Sequence, residues 1–335
     1  MAIQNEVWAQ DIQKILFQTD LDFLNLATSH DSYAVGPDGK GYKRVHLPQA
    51  GAFGSGISTN YSGSYPRVVS QRTDTEFDYP IDEYTTDPII YTYAEELQVS
   101  YPKRETIIRQ QVELMAQKVG SEVLYKWGQN SLSATSSNGA SCIVRTSGAT
   151  SSLYNEGAQT GSRKLITLSD LISLGLVLDR QFVPKNDRYL MLPSTLYYQM
   201  FEIPQFNNAI NLYGFSKDKN TLVGGELPEV MGFKILHRPV VSAYYGSTAT
   251  GGVIGNEIPP DSTGLLSTLD AAGNLAGIAF QRDMVAKAYG GVQAFQGIQN
   301  NPIYNGGQDL MALVMLGATR LRTDNKGVVM LVQTT

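Results

Sequence analysis

The chain reads as an α+β fold, and three stretches carry that reading. Tyrosine-rich extended segments feed one long amphipathic helix between Ile89 and Trp127, a helix, strand, helix succession follows Lys164, and strands dominate from there to the C-terminus. The helix opens at Tyr101-Pro102-Lys103-Arg104-Glu105. It then places Ile108, Val112, Met115, Val119, Val123 and Trp127 at spacings of four, three, four, four and four, which is one apolar face. At about 1.5 Å rise per residue it spans roughly 37 Å, longer than a typical globular helix. Arg109, Gln110, Gln117, Lys118 and Lys126 fall on the other side, so the spacing predicts a strut buried on one face and wet on the other.

After the helix, Ser131 to Arg163 is rich in Ser, Gly, Thr and Ala and reads as a surface loop or hairpin. Thr167-Leu168-Ser169-Asp170 resembles a capping box with Asp in the acidic slot, and Leu168, Leu171, Ile172, Gly175 and Leu176 continue at helical spacing. Tyr189 to Leu192 reads as a strand, and Pro193-Ser194 opens a second helix through Leu196, Tyr197, Met200 and Phe201. Gly232 to Leu236 is a further strand, and Gly277 to Phe280 leads into a longer one reaching Phe295. The chain is expected to close in a hairpin, Leu310 to Leu321 against Val328 to Val332 across Asp324-Asn325-Lys326-Gly327. There is no internal repeat at a fixed period.

Two N-terminal segments cannot bury themselves. Residues 1 to 40 read as an arm with a modest amphipathic helix (Val7, Trp8, Ile12, Ile15, Leu16, Leu24, Leu26) and a turn at Gly36-Pro37-Asp38-Gly39. Trp8, Phe17 and Phe23 there need a neighbour, either the main body or another chain. From Lys43 to Ile81 two extended limbs flank a tip, Gln49 to Tyr65, dominated by Gly, Ser, Thr, Asn and Ala and too poor in apolar groups to fold on itself. It is expected to project.

Composition excludes several function classes. The 335 residues suffice for one large or two ordinary domains, and a 42% hydrophobic content can supply a core. The charged fraction, 17%, is low, and a net charge of -5 offers no broad basic footprint for gripping phosphate backbones. Cys142 is the only cysteine, so no intrachain disulfide or multi-thiolate metal site can form and a reducing interior suits the chain. Met1-Ala2-Ile3-Gln4-Asn5-Glu6 lacks the features of a secretory signal, and the best apolar run, Leu171 to Leu178, is too short to span a bilayer. A soluble protein without membrane partners is expected.

Candidate chemistry is thin. The acidic run Asp74, Glu76, Asp78, Asp82, Glu83 and Asp87, interleaved with Phe77, Tyr79 and Tyr84, has the paired carboxylates and aromatic platforms of a β-rich glycoside hydrolase. Alternation along a strand explains the same pattern as a solvated face, and that reading is preferred. His30, His46 and His237 are far apart and show no metal spacing. The glycines of Gly54-Ser55-Gly56 and Gly251 to Gly255 fit neither a dinucleotide nor a phosphate-loop fingerprint, and Cys142, with no nearby cation in sequence, reads as a packed or idle thiol. No catalytic, cofactor-binding or metal-binding residue is expected.

Several local strings, in order, resemble the major capsid proteins of tailed bacteriophages, the Hong Kong 97 type of capsid fold. Asp82 to Tyr91 followed by Glu95 to Arg104 is similar to the approach to that family's spine helix, here Pro102 to about Gln129. Leu165 to Leu171 and Arg188 to Ser194 resemble the helix and strand that start its axial domain, and Glu229 to Ile235 an axial strand. Ala276 to Phe280 through Ala288 to Gly291 is similar to the return into the peripheral domain, and Gly317 to Arg320 with Gly327 to Val329 to the closing axial hairpin.

The resemblance implies an N-terminal arm (1–40), an extended β loop (41–76), a peripheral domain with the long spine helix (77–135 and 268–304) and a mixed α/β axial domain (136–267 and 305–335). It implies a non-enzymatic subunit that assembles as pentamers and hexamers into an icosahedral or prolate head around double-stranded DNA, without sequence-specific binding. Scaffolding, portal and decoration proteins are the implied partners, the virion the implied location, and the host cytoplasm the implied place of assembly. Subunit contacts are expected from Trp8, Phe17, Phe23, Lys43, Val45, Phe53, Tyr61, Tyr65 and Arg67. An encapsulin-like compartment shares the implied fold but encloses protein cargo.

Overall fold

A computed structural model describes residues 21–34, 43–49, 63, 74–91, 103–157, 159–203, 229–246, 252–266, 269, 271–297 and 308–335. In chain order the elements begin with β1 (Thr28–Ser29), α1 (Asp31–Ala34), β2 (Arg44–Gln49), β3 (Thr75–Pro80), β4 (Asp82–Thr85), β5 (Ile89–Tyr91) and α2 (Lys103–Trp127). Next come β6 (Ile143–Arg145), β7 (Thr150–Ser151), β8 (Arg163–Lys164), α3 (Leu168–Arg180), β9 (Arg188–Pro193) and α4 (Ser194–Met200). The last are β10 (Glu229–Val230), β11 (Phe233–Arg238), β12 (Ser242–Tyr244), β13 (Asn274–Gln281), β14 (Val285–Gln296), β15 (Gln308–Arg320) and β16 (Val328–Val332).

Two sheets flank α2. The first runs β1-β14-β15-β4, with β5 also on β15; the second runs β10-β11-β9-β13-β16-β6, with β12 also on β13. In the second sheet alternate residues face opposite ways, as the pleat requires. Met191, Ile278, Phe280, Val328, Met330 and Val332 join the core around α2. Leu190, Leu192, Ala279, Val329 and Leu331 join a separate core under α3 and α4. Burial on both faces is why these strands read as unbroken apolar runs. The helix α3 starts at the expected capping box: Thr167 Oγ1 accepts from Asp170 N at 3.3 Å, and Asp170 Oδ2 accepts from Thr167 N at 2.9 Å.

The C-terminus departs from the expected hairpin. β15 pairs antiparallel with β14 in the first sheet, whereas β16 pairs antiparallel with β13 in the second. One ribbon, β13 then β14 returning as β15 then β16, therefore passes through both sheets. It kinks at the 3-10 turn Arg282–Met284 on one side and at Leu321 to Gly327 on the other, where Leu321 N donates to Met284 O (2.9 Å). The turn residues Asp324 to Gly327 build that jog and not a reversal, because Arg320 and Asn325 are tied into the end of α2. Gln129 Nε2 donates to Val328 O (2.9 Å), and Arg320 donates to Gln129 Oε1 and Asn325 Oδ1. Sheet membership thus puts β13 with 136–267 and β15 with 77–135, the reverse of the ranges expected for them.

Ser131 to Arg163 is also less superficial than its composition suggests. β6 adds parallel to β16 at the sheet edge, and Cys142 beside it is fully buried, its thiol pushed up by burial.

Helix α2 buries Val112, Met115, Val119, Val123 and Trp127 as its spacing predicts, with Ile108 half-buried. Its opposite face is wet only in the first half, where Arg109 and Gln110 are exposed. Farther along, Lys118 Nζ donates to Pro260 O (3.1 Å), Ser121 Oγ donates to Gly264 O (2.8 Å), and Lys126 pairs with Asp82. A segment some 140 residues away in sequence covers that face, which periodicity alone does not reveal.

Two glycines, Gly120 within α2 and Gly128 just past its end, make room for buried ionisable side chains. A Cβ on Gly120 would lie 2.6 Å from Arg238 Nη2, and one on Gly128 only 2.3 Å from Glu257 Oε1. Arg238 donates to Gln117 O (3.0 Å) and Ser121 Oγ (3.1 Å), and it lies 6.0 Å from the centre of the Phe23 ring. Glu257 accepts from Ser242 Oγ at 2.6 Å, and its Oε2 has no hydrogen-bond partner among the described residues. Burial drives the Glu257 pKa well up, opposed by the Ser242 bond and the Arg320 charge.

Phe23 is 6% exposed, edge-on to Trp127 at 5.7 Å, so it belongs to the chain's own core and not to a subunit contact. Phe23→Ala is therefore expected to destabilise the isolated subunit by about 3–5 kcal/mol in urea unfolding; a variant as stable as wild type would return Phe23 to the surface. For Glu257, the folded state holds the proton that the unfolded chain releases as pH climbs past about 4.5. Its stability contribution is complete below that value and is lost as pH rises through the folded pKa. Glu257→Gln should remove that decline, so the urea midpoints of variant and wild type diverge in the variant's favour with rising pH. Parallel curves would contradict a neutral buried carboxyl.

Candidate assembly surfaces

The β2–β3 hairpin is the element most clearly built to reach outward. Its root is anchored: Val45 and Tyr79, paired across the strands, are buried with Ala34, Ile81 and Ala288. Tyr79 hydroxyl and His30 Nδ1 share a hydrogen bond of 3.0 Å. Burial raises the Tyr79 pKa and lowers that of His30, with Asp31 raising both. Outward along the hairpin the cover thins. Leu47 and Phe77 are half-buried, and Pro48, Glu76 and Thr75 are exposed. The ladder stays in register to Gln49 opposite Thr75.

The other face of the hairpin carries the acidic run. Glu76 pairs with His46 at 2.6 Å and Asp78 with Arg44 at 2.7 Å, diagonal partners across the two strands. Asp82 pairs with Lys126, the Asp87 carbonyl accepts from Gln111 Nε2 (3.2 Å), and Glu83 is exposed. Glu76 and Asp78 lie on a solvated face, as alternation suggested, whereas Asp82 is only partly exposed against Lys126. A cleft of about 530 Å3 beside the hairpin is lined by Tyr33, Lys43, Arg44 and His46 and includes none of those carboxylates. The three histidines have unrelated surroundings, His237 being stacked on Tyr197 at 4.6 Å, and no group of three metal-ligating side chains occurs among the described residues.

Of the residues expected at subunit contacts, Lys43 is exposed at the start of the hairpin, and its carbonyl accepts from Ile81 N (2.9 Å). Val45 is fully buried at the root, which removes it from any contact between copies. Trp8, Phe17, Phe53, Tyr61, Tyr65 and Arg67, with the hairpin tip, lie outside the described residues. Exposed apolar groups that the sequence reading missed gather elsewhere. Ile89, Ile90 and Phe295 sit at one end of the first sheet, and Ile172 and Leu176 on the outer face of α3, one helical turn apart. Phe182 stands past the end of α3. Only the α3 pair carried a spacing signal.

No protein-family model matches the chain, and no curated protein matches it. Solved structures do. The capsid of cyanophage P-SCSP1u is similar at 17% identity over 91% of this chain and 86% of that one, with a TM-score of 0.58. The capsid of cyanophage Pam1 is similar at 11% identity over 91% and 87%, TM-score 0.58. The capsid of a native GTA particle is similar at 10% identity over 95% and 91%, TM-score 0.53.

Truncating the hydroxyl in Tyr79→Phe should cost about 1 kcal/mol of subunit stability, whereas Glu76→Gln farther out should change it by less than about 0.5 kcal/mol. Thermal unfolding of both variants checks the gradient, and equal effects would contradict an anchored root with a free outer half. The architecture, helix α2 between two sheets with an outreaching hairpin, is that of the Hong Kong 97 type of fold, the fold of phage major capsid proteins.

Proposed function

We propose that the chain is a shell subunit, a major capsid protein whose copies assemble as pentamers and hexamers around double-stranded DNA. The observation that carries this reading is the full-length likeness to capsid subunits at coverage near nine tenths of both chains. A second support is physical: the hairpin holds its strand pairing into a region where its own chain gives little cover, which suits a limb laid over a neighbour. Contacts of the standard size, about 800 Å2 per partner and repeated around each copy, would hold such a shell without chemistry. Capsid structural proteins are generally non-enzymatic, and the acid-rich hairpin face fits a solvated surface better than a catalytic pair.

Within this reading the first sheet with α2 forms the peripheral domain, the second sheet with α3 and α4 the axial domain, and 41–76 the extended loop. The net charge of -5 suits a wall that does not trap the polymer inside it. Scaffolding, portal and decoration proteins as partners, assembly in the host cytoplasm and residence in the virion follow from the same proposal.

Electron microscopy of the purified protein tests it. Closed shells with fivefold and sixfold clusters are expected, and packaged DNA in particles from the native source would separate a phage head from an encapsulin-like compartment. Removing residues 50–64, of which only Gly63 is among the described residues, should leave native far-UV circular dichroism but no closed shells. A lone monomer at high concentration, or normal particles from the deletion, would overturn the reading.

A further inference from the structure

Phe182 combines two unfavourable features at one position. It ends α3 in a Schellman arrangement, with Val183 N donating to Leu178 O (3.1 Å) and Phe182 N to Asp179 O (3.0 Å). The residue at that point takes left-handed backbone, φ 57°, where glycine is usual and a side chain is strained. Its ring is 88% exposed, the most exposed large apolar side chain among the described residues. Strain and exposure at one aromatic position point to a role outside the folded chain.

A matching recess lies at the far end of the same strand. Arg188, the first residue of β9, donates to Val183 O (2.6 Å) and Pro184 O (2.9 Å), fixing the Phe182 turn beside that end. Pro193, the last residue of β9, lines a cleft of about 260 Å3 together with Val240, Leu265, Leu269, Leu275 and Glu156. Six residues of strand separate the two, roughly 17–20 Å. That volume lies below the usual range of small-molecule pockets, about 300–1,000 Å3, and suits one large side chain.

Charge is complementary as well. Around Phe182 stand Arg180, Lys185, Arg188 and Lys234 against two carboxylates, Asp179 paired with both Lys185 and Arg188 and Asp187 paired with Lys234, an excess of positive charge. At the cleft stands the carboxylate of Glu156, which accepts from Thr195 Oγ1 (3.3 Å).

We propose that Phe182 of one copy seats in the Glu156 cleft of the next, a head-to-tail contact between axial regions. Two different patches at opposite ends of one sheet are what a heterologous ring requires. The contact rests on the shell reading and names one surface within it. Cysteines at both sites, Phe182→Cys with Leu265→Cys, should give a ladder of covalently linked copies when assembled particles are oxidised, while either single variant should give none. Cys142 is buried and stays out of the exchange. Phe182→Asn keeps a residue that tolerates left-handed backbone, so circular dichroism and urea midpoint should hold while particle yield falls at least about tenfold. Glu156→Lys should lower yield too, and adding Lys185→Glu should restore part of it. Normal particles from Phe182→Asn, or particles of the double cysteine variant without a ladder, would overturn the contact while leaving the shell intact. No particles from the unmodified chain would overturn both.

Discussion

The rest of the structure depends on what is buried at the C-terminal end of α2. Trp127 donates its indole N–H to Ala286 O of β14 (3.1 Å) while its ring lies 5.3 Å from Phe280 of β13, so one side chain touches the ribbon on both sides of its kink. Gln129, two residues on, bonds β16 and receives Arg320 from β15, and its carbonyl accepts from Tyr244 hydroxyl at 2.6 Å. A helix end normally leaves carbonyls and apolar surface to be satisfied locally. Here both sheets supply the partners, which fixes their relation to the helix. The hairpin, α3 and the sheet ends take their directions from that frame.

Around this junction the protein tolerates buried charge by enclosing it in hydrogen bonds. Arg238 is held by backbone and hydroxyl oxygens along the glycine-bearing face of α2, and Glu257 sits opposite Gly128 with Ser242 as its donor. An uncompensated buried ion would cost several kcal/mol, which favours the neutral form of the carboxyl, while Nη1 and Nη2 of the guanidinium donate to Ser121, Val240 and Gln117. Toward the periphery the balance reverses: ion pairs are exposed, apolar side chains lose cover, and the strand pairing of the hairpin supplies the order. Such a gradient from sealed centre to open limbs suits a subunit finished by its neighbours.

Much of the fold was legible where a short-range signal exists. The spacing of Val112, Met115, Val119, Val123 and Trp127 marked α2, and Thr167 with Asp170 marked the start of α3, because both patterns depend on residues within one or two helical turns. The pairing of Val328 to Val332 was not legible. A strand buried on both faces has no alternation to give its register, and an apolar run is compatible with several partners. The cover that 260–264 places on Lys118 and Ser121, and the pairing of β6 with β16, are long-range events that local composition cannot report. Phe23 looked like an interface group only because its partners, Trp127 and Arg238, are distant in sequence. Phe182 was missed for a different reason: a helix end is marked in sequence by glycine, and here an aromatic residue occupies that place. The extended limbs on either side of the loop were legible from alternation at Val45 and Leu47 and at Phe77 and Tyr79, a period-two signal confined to neighbouring residues.

Amide hydrogen exchange on the free subunit and on assembled particles tests the division between a self-sufficient frame and surfaces completed by other copies. The account predicts that α2 and β13 to β16 are protected in both states, while Arg44–Gln49, Thr75–Pro80 and the turn at Phe182 gain protection only on assembly. Equal exchange at those segments in both states, or a helix that becomes protected only in the particle, would contradict it.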